Sequence, residues 1–341
     1  MESTRFHLDV RALLNRMAVI GLLICASGPA AAAAVDRDGY LVDKLAAGDY
    51  SRRGADTCLG CHDESEQFPT NALFETVHGH PGMDGSPFMP GSSASFPAGL
   101  QCEACHGPIG EHGQRILPHG AVREPIVNFG RRGNAPTDLQ NHFCLACHED
   151  YDRSRWAGSA HEQGDVACAD CHRIHSRADP VRLQAGQAAV CLDCHQQVRA
   201  DLLKLSSHPM RDHQLACRDC HDPHGGSGTG DALVREPSIN QACYRCHAEK
   251  QGPFLWEHPP ASEDCGICHL PHGSNQPALL VRRAPQLCQA CHSSVGHRSL
   301  PQLADRLPSD PGAEFLFANA CLNCHAQVHG SNHPSGNLLR R

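Results

Sequence analysis

Twenty cysteines of this chain form ten Cys-x-x-Cys pairs, and a histidine stands directly after every pair. The blocks are Cys58, Cys61 and His62; Cys102, Cys105 and His106; Cys144, Cys147 and His148; Cys168, Cys171 and His172; Cys191, Cys194 and His195; Cys217, Cys220 and His221; Cys243, Cys246 and His247; Cys265, Cys268 and His269; Cys288, Cys291 and His292; and Cys321, Cys324 and His325. A Cys-x-x-Cys alone serves half a zinc ribbon, a redox dithiol or a disulfide framework, and none of these requires histidine next. Histidine is 26 of 341 residues, so ten such placements by chance have a probability of about one in 10^11. Covalent haem does require the order: two thiols form thioethers with the porphyrin vinyl groups, and the adjacent imidazole meets the iron from one face. The blocks predict ten covalently attached c-type haems, each with a proximal ligand.

A repeat sorts the remaining histidines. Blocks beginning at 144, 191, 243 and 288 recur every 45 to 52 residues, each followed by a free histidine, a second block and another free histidine. Three central copies show this cleanly and put free histidines at His161 and His175, His208 and His224, and His258 and His272. The end copies supply His78 and His112, and His297 and His329, with His80 and His333 as competitors for His78 and His329. These ten are the expected distal ligands, which makes every iron six-coordinate. His80, His119, His142, His213 and His333 are left over as solvated or supporting imidazoles. In "CRDCHDPHG" (217–225), three residues of chain cannot easily carry one backbone across both faces of a macrocycle. His224 is therefore expected on a different haem from His221, although spacing leaves open which iron each distal histidine meets. Met83, Met89 and Met210 could replace a histidine and raise one potential, but thioethers more often fill gaps.

The scaffold around these groups must be slight. Only 5% of residues are Phe, Trp or Tyr, too few for conventional cores in a chain of this length. The cofactors themselves are expected to form the apolar interior. The fold class is a multihaem cytochrome c, mostly irregular with short α-helices, almost no β-structure, and an elongated line of haems. A helix is expected after the block at 191, where Val198, Leu202 and Leu205 recur at helical spacing. Segments 79–99 and 298–315 read as loops without a core of their own. Residues 1–34 carry a basic start, an apolar stretch and a run of alanines, the pattern of a cleaved secretory signal peptide. The rest divides into two five-haem halves, 35–205 and 206–341, within one decahaem unit. The leader holds three Arg and two acidic residues, leaving 26 basic against 35 acidic residues, so nucleic acid is an unsuitable partner. The arginines of "GRRG" (130–133) and "VRR" (281–283) are expected to be solvated rather than docking partners or pairing with propionates.

With the motifs placed, the chain resembles the MtrA/DmsE-type periplasmic decahaem cytochromes from about residue 47 onward. Stretches beyond the haem blocks carry the resemblance: "LQCEACHGP" (100–108), "CYRCHAEKQGPFLWEHPP" (243–260), "RAPQLCQACH" (283–292) and "CLNCHAQVHGSNHPSG" (321–336). The resemblance implies bis-histidine iron and a haem wire threaded into an outer-membrane β-barrel porin. It also implies electron exchange with an extracellular multihaem cytochrome or mineral, supplied by periplasmic or inner-membrane cytochromes, in metal reduction or Fe(II) oxidation. Physics agrees in part, since a wire without apolar outer helices spans a bilayer only if a closed barrel insulates it. Two rivals remain: a periplasmic donor to a terminal reductase such as dimethyl sulfoxide reductase, and a multihaem nitrite or hydroxylamine enzyme. The enzyme needs an iron with an open position, and the Cys-x-x-Cys-Lys block that often marks one does not occur.

Overall fold

A computed structural model describes residues 37–65, 69–91, 99–148, 153, 155–227, 233–292 and 321–340. The expected leader, the loop at 298–315 and His297 lie outside these residues. Six described helices reach six residues or more: α1 Arg37–Ala47, α2 Thr137–Leu145, α3 Gln184–Cys191, α4 Gln196–Asp201, α5 Ile239–Tyr244 and α6 Ala284–Gln289. The described β-structure in strands is one pair of two-residue strands, β1 Trp256–Glu257 and β2 Gly330–Ser331, antiparallel with Trp256 opposite Ser331. The expectation of short helices and almost no sheet is met.

Apolar burial is sparse, as the composition demands. One small cluster joins Leu41 of α1 to Val127 and Ala135, with Tyr40, Phe129, Leu139 and Phe143 packed against it. The largest fully buried side chains among the described residues are Leu41, Val127 and Pro108. Such a core is too small to order a chain of this length by side-chain burial alone.

Helices α2, α3, α5 and α6 end in, or within one residue beyond, the first cysteine of a block, namely Cys144, Cys191, Cys243 and Cys288. Their starts have local causes: Ser238 caps α5 by accepting from Gln241 N, and α6 carries proline in its first turn. A buried amide three or four residues ahead of the cysteine then ties three of these helices to the next block. Asn141 Oδ1 accepts from Cys168 N, Gln187 Oε1 from Arg218 N and Asn240 Oδ1 from Cys265 N, each at 2.8 Å. The same amides donate to Val166 O, Val181 O and Ser262 O. A buried amide satisfied at both ends fixes the two blocks of a unit relative to each other.

Two loop expectations change. Helix α4 stops at Asp201, so Leu202 is buried but Leu205 is 91% exposed. The cause is Ser206, whose backbone pairs with Ser274 in both directions and draws the chain out of helical register. Segment 79–91 is also less loose than its composition suggests. Phe88 packs edge-on against Phe74 at 5.3 Å, and the buried Ser86 hydroxyl donates to His78 O at 2.7 Å. Contacts also cross position 205/206: Arg218 N donates to Gln187 and Cys191 contacts Cys217.

Candidate haem sites

Every block is a single α-type turn. The histidine N–H donates to the carbonyl of the first cysteine in all ten, at 2.8–3.1 Å. Residues at i, i+3 and i+4 of such a turn share one face. The two thiols and the imidazole of each block therefore project together, as attachment and ligation of one macrocycle need.

Nine block histidines each face one free histidine across a nearly constant gap. Ring centroids are 6.2 Å apart for His62 and His112, 5.9 Å for His148 and His78, and 6.2 Å for His106 and His175. His195 faces His161 at 6.1 Å, His172 faces His224 at 6.0 Å, and His247 faces His208 at 6.5 Å. His221 faces His272 at 5.9 Å, His292 faces His258 at 6.0 Å, and His269 faces His329 at 6.2 Å. Two metal–imidazole bonds of about 2.0 Å, with a ring radius of about 1.1 Å on each side, place the centroids of two ligands on one ion roughly 6 Å apart. Among the described residues no cluster of three or more His, Cys, Asp or Glu could hold a bare ion. Two imidazoles with the other positions left to a macrocycle suit haem iron, so the residues present fit the group.

The pairing resolves what spacing left open. His224 faces His172 of the preceding unit, not His221, and His272 faces His221. His78 meets a block histidine, whereas His80 accepts from Gly82 N with its Nδ1. His329 likewise meets His269, whereas His333 accepts from Ser335 N. His142 lies against Phe143, and the His213 carbonyl accepts from Gln184.

Second contacts orient these rings. The Nδ1–H of His161 donates to Pro223 O at 2.9 Å, that of His208 to Pro271 O at 2.8 Å, and that of His258 to Val328 O at 2.8 Å. Each carbonyl belongs to the residue just before His224, His272 or His329. One dipeptide thus aims the ring of one pair and supplies a ring to another. Donation from Nδ1 leaves Nε2 as the free lone pair, the tautomer a ligand requires. Burial lowers the pKa of His78, His106, His112, His148, His272 and His329, which keeps these imidazoles neutral.

A glycine follows each of those three shared histidines, and sequence reading gave it no role. A Cβ on Gly225 would stand 2.2 Å from Arg155 O, on Gly273 2.0 Å from Asp201 O, and on Gly330 2.2 Å from a ring carbon of Phe254. Gly225 also has φ +127°, which side chains disfavour. Gly225→Ala should lower stability by about 1–3 kcal/mol and displace His224. Thermal unfolding of the haem-loaded protein, with the low-spin fraction recorded in parallel, checks both effects. The signal was present in the sequence as "HG" after the third position of successive units, as were the amides ahead of the cysteines.

Sulfur contacts join the blocks in chain order. Within units, first cysteines touch: Cys58 with Cys102, Cys144 with Cys168, Cys191 with Cys217, Cys243 with Cys265 and Cys288 with Cys321. Between units, second cysteines are neighbours: Cys147 adds to the raised pKa of Cys105, Cys194 to that of Cys171, Cys246 to that of Cys220 and Cys291 to that of Cys268. Burial, more than the neighbouring thiol, pushes Cys105 up to about 11. Five contacts and four neighbouring thiol pairs thereby connect ten blocks into one file. Arg131 is exposed, as expected, yet it also pairs with Asp193 at 3.1 Å and approaches Asp170 at 3.9 Å, bridging two blocks.

Comparison with known proteins places these features in a family. The doubled CXXCH motif model matches residues 208–252 and 258–297, and the model of cytochrome c-type protein NrfB-like sequences matches residues 102–185. The chain is 45% identical over 306 residues to the multiheme cytochrome MtrA of Shewanella baltica, covering 89% of this chain and 86% of that protein. It is 31% identical over 101 residues to the cytochrome c-type protein NrfB of Haemophilus influenzae, covering 28% of this chain and 44% of that one.

Proposed function

The chain belongs to the family of the multiheme cytochrome MtrA, a c-type cytochrome with several covalently bound haems and a part in electron transfer, and on that premise we propose that it is a decahaem conductor. It carries electrons between periplasmic redox proteins and the cell exterior, seated in an outer-membrane β-barrel porin. The observation that carries this reading is the file of blocks joined by five sulfur contacts and four neighbouring thiol pairs, running from the block at 58 to the block at 321 in chain order.

Bound in each block, the haem supplies a one-electron iron couple. The protein's own residues do the rest. At nine described sites the paired imidazoles would hold the iron between them and leave no position for a substrate, so the group would supply electron transfer alone. The tenth pair would be His325 with His297, which lies outside the described residues. Backbone carbonyls of Pro223, Pro271 and Val328 fix the ring orientations of His161, His208 and His258. The two halves expected at 35–205 and 206–341 act as one elongated unit, since the Cys191–Cys217 contact continues the file across their boundary.

No helix among the described residues is long and apolar enough to cross a membrane. Irregular backbone tolerates the depth of a bilayer only inside other protein, and a closed barrel provides that. Inner-membrane or periplasmic cytochromes load one end; an extracellular cytochrome or mineral unloads the other.

Reconstitution with a barrel in liposomes that enclose a reducible dye tests the proposal. Adding Fe(III) outside should oxidise the reduced dye only when both proteins are present. A dye unaffected by outside Fe(III) or Fe(II) would remove the conduit and leave a periplasmic carrier.

A further inference from the structure

His172 is held differently from the histidines whose ring nitrogens meet backbone carbonyls. In seven of those, His106, His112, His161, His208, His258, His269 and His325, Nδ1 donates to a neutral C=O. The Nδ1–H of His172 instead donates to the carboxylate of Asp179, 2.6 Å from Oδ2. Asp179 is no loose surface acid. Its side chain is 14% exposed, and its second oxygen accepts from Arg173 N at 3.3 Å. The facing ring adds to the same bias. His224 stacks on His172 at 6.0 Å with planes 13° apart, and Asp222 Oδ1 lies 3.9 Å from His224 Nδ1 while accepting from His224 N.

A carboxylate on the outer nitrogen of a ligating imidazole pulls its proton outward and makes the inner nitrogen a stronger donor. Stronger donation stabilises the more positive oxidation state of a bound metal, so the couple becomes harder to reduce. A neutral carbonyl exerts the weaker form of the same pull.

We propose that Asp179 is a positioning and tuning residue that makes the haem of the 168–172 block a low-potential step, fourth in the file. The inference rests on the reading that His172 and His224 ligate one iron. The consequence is directional texture in the conductor: an electron passing from the third site to the fifth crosses a local rise at the fourth. Sequence alone hides it, because Asp179 stands seven residues beyond the histidine with no motif around it.

The test is Asp179→Asn in the full-length holoprotein, with ten haems verified by mass. Asparagine keeps the acceptor oxygen and removes the charge. Spectroelectrochemical titration should show one component, a tenth of the total amplitude, moving positive. At a fixed ambient potential its reduced-to-oxidised ratio should rise about tenfold, equal to 59 mV for one electron. One low-spin species should change its g-values in the low-temperature EPR spectrum. Asp179→Glu, which retains the charge, should leave the titration close to that of the parent. An Asn variant with full haem content and an unchanged titration and EPR spectrum overturns the proposal. If Asn lowers haem occupancy, Asp179→Ser takes its place and must produce the same positive shift, or the proposal fails. The ligation reading fails separately: His224→Ala would then leave every iron low-spin, whatever Asp179 does.

Discussion

Replacing His272 by alanine should convert one iron of ten from low-spin to high-spin while leaving all ten haems attached. His272 is half-buried, is neutral because partial burial lowers its pKa, and faces His221 at 5.9 Å. Its removal opens one axial position without touching Cys217, Cys220 or His221. EPR would show the high-spin signal, and that iron should now bind nitrite or hydroxylamine, which the parent should not. His272→Met closes the position again with a thioether and should raise that haem's potential on the order of 0.1–0.3 V, within the ~0.8 V that axial ligands command. Such a haem would be a sink in mid-file, so flux should fall even though the open position is closed again. A parent protein that already binds nitrite would refute the conductor reading and revive the enzyme.

The second large effect concerns continuity. Cys191→Ala combined with Cys194→Ala removes the attachment of the fifth haem, whose sulfurs contact Cys217 on one side and neighbour Cys171 on the other. The product should carry nine haems by mass. Each remaining stretch should still be reduced by dithionite, yet passage of electrons across liposomes should drop by orders of magnitude. Unimpeded passage would mean that the sites do not form a single file. If the double variant is not recovered, Cys194→Ala alone keeps one thioether and should retain flux, which separates loss of the haem from loss of the protein.

How much of this was legible in the sequence depends on the range of the contact. The attachment turns are local, five residues long, and their identity follows from residue order alone. The facing histidines were legible as a class because three central units set one of them three residues after a block and the other seven to nine residues before it. Their pairing was not, since "CRDCHDPH" does not say that its last residue reaches back to His172 across 52 positions. That answer lies in Gly225, Arg155 and the carbonyl of Pro223, which are contacts between units. The helix expected to align Val198, Leu202 and Leu205 stops short for the same reason. Periodicity at Val198, Leu202 and Leu205 is a local signal, and the pairing of Ser206 with Ser274 overrides it from 68 residues away. The amides Asn141, Gln187 and Asn240 were visible as letters, but their function as ties needed the partner blocks in place.

The joints alternate, first cysteine in contact with first cysteine inside a unit and second cysteine neighbouring second cysteine between units. The molecule is thus a chain with two kinds of joint, five of one and four of the other. Throughput in such a series is governed by the slower kind. Improving the faster joints would leave the current unchanged, and adaptation of conductance must concentrate on one set of seams.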